Sequence, residues 1–253
     1  MNTPSPASKL PAVTLGFWII YVAATTLGET GGDAVSTTLD WGYLGGTALF
    51  FAAFIVLVVA QIRARRLYDG LFWATMIACT MFGTTLADFA DRSLGLGYAG
   101  GSTLLFLCVL AALAVWYRTQ GTIAVGRVNA PKTEIFFWIA ITFAQTLGTA
   151  LGDWVSDGWD FGSARGALIF AAGLAAVAAL YFWTATSRVL LFWAAVILAR
   201  PLGATAGDFL DQPANQGGLA LSRPLASALI AVFIVACLLV MSRRPAQRVE
   251  PST

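Results

Sequence analysis

The chain has 253 residues, of which 58% are hydrophobic and only 11% are charged, and its formal net charge is +2. Its mean hydropathy is +0.76. Soluble domains carry about 25% charged residues, so a soluble fold of this size would lack the polar residues to cover its surface. The composition therefore predicts an all-α integral membrane protein whose partner is the lipid bilayer, and it gives no indication of nucleic-acid binding.

Histidine is absent, and the three cysteines, Cys79, Cys108 and Cys237, lie in apolar runs without paired spacing. This argues against disulfides and against zinc or copper sites. Met1 to Pro11 lacks the basic and small-residue features of a signal peptide, so the first apolar run is interpreted as a retained transmembrane helix.

Eight apolar stretches approach the roughly 20 residues that a membrane-spanning helix requires. They are Val13–Thr30, Leu44–Ile62, Leu71–Leu86, Ala99–Tyr117, Ile135–Leu151, Gly166–Thr186, Val189–Ala206 and Leu225–Met241. The expected organisation is a tail (1–12), four helices (13–120), a linker (121–134), four further helices (135–242) and a second tail (243–253).

The distribution of charge predicts the orientation of these helices. Eleven of the fifteen Lys and Arg residues fall on the side that holds both termini, and ten of the thirteen acids fall towards the opposite side. Because basic loops stay in the cytoplasm, both termini are expected there, with the protein spanning the inner (plasma) membrane several times.

One pattern, Trp followed after ten residues by Gly and after five more by Asp, occurs four times with identical spacing. The copies are Trp18–Gly28–Asp33, Trp73–Gly83–Asp88, Trp138–Gly148–Asp153 and Trp193–Gly203–Asp208. The first and third copies lie 120 residues apart, as do the second and fourth. A repeat of two helices, doubled twice, predicts four tandem hairpins with parallel 2+2 pseudo-symmetry about an axis along the membrane normal.

Four tandem copies, each with two spans and a tryptophan, resemble a bacterial membrane protein family defined by the DUF347 repeat, a repeat of unknown function. The resemblance extends from about Phe17 to Met241. It implies an integral membrane protein of bacterial type, and it supplies no activity, substrate or catalytic residue.

The helical repeat of 100° per residue places the polar residues of each copy on one stripe. The stripes are Trp18/Glu29/Asp33/Ser36, Trp73/Thr84/Asp88/Asp91, Trp138/Thr149/Asp153/Ser156 and Trp193/Ala204/Asp208/Asp211. Four such stripes around one axis would converge, with the tryptophans near the cytoplasmic end and the aspartates near the outer interface. For the tryptophans, an interfacial belt is favoured over a role as a gate.

Each glycine of the pattern belongs to a small-xxx-small pair, which favours close packing of helices in lipid. The pairs are Gly28/Gly32, Gly83/Ala87, Gly148/Gly152 and Gly203/Gly207. Packing is favoured over a second interpretation, in which an unwound turn at this depth exposes carbonyls beside the aspartates.

The candidate cation-binding or proton-relay residues are Asp33, Asp88, Asp153, Asp208, Asp91, Asp211 and Glu29. Carboxylate, hydroxyl and carbonyl oxygens suit hard cations such as Mn²⁺, Mg²⁺ or Ca²⁺, or protons, and no resident cofactor is otherwise indicated. The structural alternative is that the aspartates cap helices or pair with Arg92, Arg165 or Arg223. Arg200, inside an apolar run, requires a carboxylate partner such as Glu29 or Asp208.

Three functions remain open. The favoured one is transport or export of a small cation, without catalysis, by a chain that forms its pathway alone or as a homo-oligomer. The second is a Mg²⁺-dependent membrane enzyme acting on a diphosphate lipid through the Asp-x-x-Asp pairs Asp88/Asp91 and Asp208/Asp211. The third is a membrane scaffold with no transported substrate.

Overall fold

A computed structural model describes residues 8–159 and 161–242, and over these ranges the chain is all-α with eight long helices. In chain order they are α1 (Leu15–Asp33), α2 (Gly42–Arg63), α3 (Asp69–Asp88), α4 (Gly97–Gln120), α5 (Pro131–Asp153), α6 (Gly162–Trp183), α7 (Arg188–Asp211) and α8 (Arg223–Ser242). The residues of the two expected tails that lie before Ser8 and after Ser242 fall outside the described ranges.

The C-terminal ends of helices α1, α3, α5 and α7 lie beyond the ends of the apolar runs. Their helical backbone hydrogen bonds continue as far as the aspartates that follow these runs. Each helix ends at the aspartate of its repeat or just beyond it. In the first three repeats the aspartate is followed directly by a π-helical turn, over Ala34–Thr38, Phe89–Ser93 and Trp154–Gly158. The linker is also shorter than expected, since α5 starts at Pro131, where a missing N–H is harmless.

The four helices that carry the Trp-Gly-Asp pattern form a closed inner ring in the order α1, α3, α5, α7 and back to α1. Each remaining helix packs outside the ring, mainly against the next inner helix: α2 on α3, α4 on α5, α6 on α7 and α8 on α1. The inner helices run parallel, so we name the end where they begin the aromatic end and the end where they finish the acidic end.

The outer helices present large apolar side chains to the surroundings, including Val56, Leu107, Leu168 and Val232, each more than half exposed. Such surfaces are typical of lipid contact rather than of a soluble monomer. Among the described residues, seven helices are long and apolar enough to cross a membrane. The helix outside this group is α1, whose acidic half contains glycines, threonines and Glu29.

The aromatic end is covered by two short segments of the chain. Lys9 donates from Nζ to the Glu134 carboxylate at 2.5 Å and to the carbonyl oxygens of Gln61 and Ile62 at 3.2 Å. Its backbone N–H donates to the carbonyl of Val128 in the linker at 2.8 Å. The N-terminal segment therefore ties together the end of α2, the linker and the start of α5.

The same glycine contact recurs at all four interfaces of the inner ring. The glycine ten residues after each tryptophan lies against the residue seven after the tryptophan of the next helix. The four pairs are Gly28 on Thr80, Gly83 on Gln145, Gly148 on Arg200 and Gly203 on Thr25. Absence of a side chain at these positions lets the helices approach closely, so van der Waals contact can hold them together in lipid.

We predict that Gly83→Ala destabilises the protein by about 1–3 kcal/mol, because the new methyl group overpacks the α3–α5 interface. An ideal Cβ there would lie 3.0 Å from the Gln145 carbonyl carbon and the Thr146 nitrogen, backbone atoms that cannot turn aside. Unfolding in detergent measures the effect. Gly100→Ala on α4 is the matched control, because a Cβ added at Gly100 would have no atom within 4 Å. This change should be neutral or slightly stabilising. Equal effects of the two changes would contradict the close crossing.

Candidate functional site

Four phenylalanines gather inside the inner helix ring at its aromatic end. Each immediately precedes the tryptophan of its repeat, and all are buried: Phe17, Phe72, Phe137 and Phe192. The ring centroids of Phe17 and Phe72 lie 6.5 Å apart, those of Phe72 and Phe137 6.4 Å, and those of Phe17 and Phe192 6.5 Å. This set, here called the phenylalanine ring, is an apolar closure with no polar atom of its own.

The interfacial-belt interpretation of the tryptophans is wrong for three of them. Trp73, Trp138 and Trp193 are only 2–3% exposed, and Trp18 is half-buried. Each instead packs against the phenylalanine of the preceding helix in the ring, as Trp73 does against Phe17 at 5.3 Å. The exposed apolar positions of the inner helices at this depth are occupied by other residues, such as Ile139 and Leu190, and the tryptophan rings pack behind the phenylalanine ring.

Polar side chains begin one helical turn further towards the acidic end. Gln145 Nε2 donates to the Tyr21 hydroxyl at 2.9 Å, and both side chains are fully buried. The Gln145 Oε1 atom lies buried with no hydrogen-bond partner among the described residues. This pair connects α5 with α1 across the ring.

Arg200 extends from α7 to the three other inner helices through a single nitrogen atom. Its Nη2 donates to Glu29 Oε2 on α1 at 3.0 Å, to Thr84 Oγ1 on α3 at 2.6 Å and to Thr149 Oγ1 on α5 at 2.5 Å. We call these four residues the arginine girdle. The pairing with Glu29 confirms one of the two carboxylate partners expected for this arginine.

Beyond the girdle, two arginines bridge the aspartates of neighbouring helices. Arg92 Nε lies 3.0 Å from Asp88 Oδ1, and its Nη2 lies 3.3 Å from Asp153 Oδ2. Arg223 Nη2 lies 3.3 Å from Asp33 Oδ2, while its Nε forms a short ion pair with Asp211. The third arginine considered in the sequence, Arg165, is exposed and forms no ion pair with the described residues.

Six acids of the repeats gather in one place, here called the acidic cluster: Glu29, Asp33, Asp88, Asp153, Asp208 and Asp211. The charge of Asp88 interacts with those of Asp33 and Asp153, and that of Asp208 with the same two. Oxygens of Glu29, Asp33 and Asp208 all lie within 4.8 Å of one another. Six carboxylates face three arginines there, and Asp208 forms no ion pair with any described residue, so the cluster favours a positive ligand.

Asp91 does not join the cluster, although its spacing places it on the same stripe. It lies in the π-helical turn after α3 with an oxygen against Gly101 of α4, and neither oxygen has a hydrogen-bond partner in the described part of the chain. The π-helical turn changes the 100° step on which the stripe was based.

Six side chains that lie inside the helix ring were not selected from the sequence: the four of the phenylalanine ring, Tyr21 and Gln145. The signal for the first was present, because Phe-Trp occurs as a dipeptide in all four copies. Tyr21 has no such signal, since the equivalent residues of the other copies are Met76, Ile141 and Val196.

The fold and site define an all-α protein with four helical hairpins around a polar axis, and seven of its described helices are compatible with a multi-pass membrane protein. The family model described as Repeat of Unknown Function (DUF347) matches residues 16–67, 71–122, 136–187 and 191–246. The chain therefore belongs to the DUF347 repeat family. No curated protein and no solved structure matches it significantly.

We predict opposite effects on stability from neutralising two acids of the same cluster. Glu29→Gln leaves the fully buried Arg200 without its counter-charge and should cost about 3–5 kcal/mol. Asp208→Asn removes a carboxylate that has no arginine but has acidic neighbours, so its stability should equal or exceed that of the wild type. Thermal unfolding in detergent at neutral pH measures both. Similar losses for the two variants would contradict this account of the cluster.

Proposed function

We propose that this protein transports a small cation across the membrane. The observation that carries the proposal is the Glu29, Asp33 and Asp208 trio, whose oxygens lie within 4.8 Å of one another at one end of a closed helix ring. Clustered carboxylates weaken a fold unless a cation or protons compensate their repulsion, so their presence supports a role in binding.

The proposal takes α1 as the eighth membrane span and relates the four hairpins by parallel pseudo-symmetry. The protein would lie in the inner membrane of a bacterium, with both termini in the cytoplasm. Supporting this, α1 packs between α3 and α7 as an equal member of the inner ring, and its 19 residues extend about 28 Å. The acidic cluster then faces the outside and the phenylalanine ring faces the cytoplasm. A cation would pass the cluster, the arginine girdle and the phenylalanine ring in turn.

The trio offers only oxygen atoms, which suits hard cations such as Mn²⁺, Mg²⁺ or Ca²⁺ as the transported substrate, or protons. The three carboxylates come from two neighbouring helices, α1 and α7. A shift of one helix relative to the other would therefore separate the ligands and release the cation, as alternating access requires.

A diphosphate-lipid enzyme receives less support from the geometry. The two carboxylates of the Asp88/Asp91 pair are separated, because Asp88 lies in the acidic cluster beside Arg92 and Asp91 lies outside it. Asp91 points its oxygens at Gly101 rather than into the cluster. A scaffold function leaves the buried charges of the girdle and cluster without a use.

We predict that Asp208→Asn lowers cation flux into proteoliposomes by about tenfold or more, equivalent to about 1.4 kcal/mol of lost binding. Mn²⁺, Mg²⁺, Ca²⁺, Na⁺, K⁺, ammonium and protons are the probes, each followed by an indicator trapped inside. Asp40→Asn is the matched control, because Asp40 is exposed and its positive φ of 59° suits asparagine equally well. Absence of flux of every probe through the wild-type protein would remove the proposal.

A second prediction concerns the phenylalanine ring. Phe72→Ala opens the apolar closure and should raise the passive leak of the transported cation, because a narrow apolar constriction excludes water and ions. Phe106→Ala on α4 removes an equally large side chain that is 45% exposed and is the control. An unchanged leak in Phe72→Ala, with the protein folded, would place the closure elsewhere.

A further inference from the structure

The arginine girdle has the form of a cation site in which a protein nitrogen takes the place of the ion. An amino group of a guanidinium carries two hydrogens, yet three oxygens from three helices surround Arg200 Nη2 at 2.5–3.0 Å. Two are hydroxyls and one is a carboxylate oxygen. Three oxygens around a single positive centre form a coordination shell as readily as a set of hydrogen bonds.

The distances and charge of this shell indicate the class of ion. Mg²⁺ binds oxygen at 2.0–2.1 Å and Ca²⁺ at 2.3–2.6 Å, usually with several carboxylates. The girdle oxygens stand further away on average and contribute one negative charge, from Glu29. A monovalent cation of the size of K⁺ or ammonium fits this shell better than the hard divalent ions suited to the acidic trio.

The remainder of the Arg200 guanidinium is poorly held. Its Nε and Nη1 atoms are buried and have no hydrogen-bond partner in the described part of the chain. Unpaired buried N–H groups are energetically costly, so these two nitrogens contribute little to holding the guanidinium in place. A different position of the guanidinium can therefore replace the present one at little cost in free energy. The Cβ and Cγ atoms of Arg200 pack directly against Gly148, so the close contact holds the base of the side chain and not the guanidinium. Next to it, Pro201 removes a backbone hydrogen bond from α7.

The sequence indicates that the arginine is an addition to a neutral position. The equivalent residues of the other repeats are Thr25, Thr80 and Gln145. Only α7 therefore supplies a positive charge at this depth, and only α1, through Glu29, supplies a negative charge one turn further on; the equivalent residues there are Thr84, Thr149 and Ala204. The positive charge of Arg200 and the negative charge of Glu29 therefore form a pair among positions that are uncharged in the other repeats.

We propose that Glu29, Thr84 and Thr149 form a binding site for a monovalent cation, and that Arg200 is a tethered counter-cation that exchanges with it. As a step in transport, this exchange rests on the function proposed above; as a binding site, it does not. When a cation enters from the acidic cluster, the guanidinium withdraws from Glu29; when the cation leaves, the guanidinium returns and closes the axis.

The test uses the full chain in detergent with Arg200→Gln, which removes the tethered charge and leaves the three oxygens. Thermal unfolding is followed in increasing KCl, ammonium chloride or dilute guanidinium chloride, with choline chloride keeping the ionic strength constant. We expect the melting temperature of the variant to rise by roughly 5–10 °C at saturating cation, while the wild type, whose guanidinium competes for the same oxygens, responds much less. Guanidinium should act at the lowest concentration, since it restores the missing group.

Two control variants define the site. Glu29→Gln/Arg200→Gln lacks the anionic ligand and should not respond to any of the cations. Arg165→Gln removes the same charge from an exposed position and should behave as the wild type. If Arg200→Gln folds only when K⁺, ammonium or guanidinium is present, the proposal is supported by that dependence.

An unfolded Arg200→Gln protein in every salt would overturn the proposal, because a free cation would then be unable to replace the side chain. A folded variant with no cation response, or an equal response from the double variant, would also overturn it. The readout is stability rather than flux. Absence of flux through the wild type would therefore defeat the proposed transport and leave this site standing, whereas wild-type flux without a cation response in Arg200→Gln would do the reverse.

Discussion

The ion pair between Arg200 and Glu29 constrains the rest of this protein. Both side chains lie inside the helix ring, where removal from water is costly unless each charge has a partner. Because one nitrogen of the arginine reaches Glu29, Thr84 and Thr149, the pair connects all four inner helices at one depth. A ring of different diameter, or with one helix shifted by a turn, would leave a charge buried without its partner.

The close approach of the inner helices makes that reach feasible. The glycine of each inner helix packs against a residue of the next helix in the ring, seven positions after the tryptophan of that helix. At the interface of α5 and α7 this residue is Arg200 itself. Packing and electrostatics are therefore set by the same backbone positions. Gly148 leaves the space through which the arginine passes from α7 towards the axis, so a side chain there would displace the girdle as well as the helix.

Polarity along the axis is graded in a way that suits the passage of a charge in stages. The phenylalanine ring contributes no polar atom, the Tyr21–Gln145 pair is neutral, the girdle is balanced and the acidic cluster has an excess of carboxylates. Repulsion between like charges increases in the same direction, because among the described residues the carboxylates crowd together at the acidic end. Binding sites commonly occupy such locally unfavourable positions.

The amino-acid sequence by itself determined the all-helical class with its long apolar helices, the four tandem repeats and the spacing of the four aspartates, because these depend on local hydropathy and on the period of the repeat. It also indicated that Arg200 needs a carboxylate, since the requirement follows from burial alone.

Tertiary structure decided which side chains face the axis. Phe and Trp are adjacent aromatic residues in every repeat, so local sequence does not tell which lines the centre, and the interfacial belt favoured for the tryptophans is wrong for Trp73, Trp138 and Trp193. The ring closure also decided the partners: Arg92 bridges aspartates of α3 and α5, and Arg223 reaches from α8 to α1 and α7. Contacts between residues so distant in the chain depend on how the helices are arranged around the axis, which no local pattern of residues specifies.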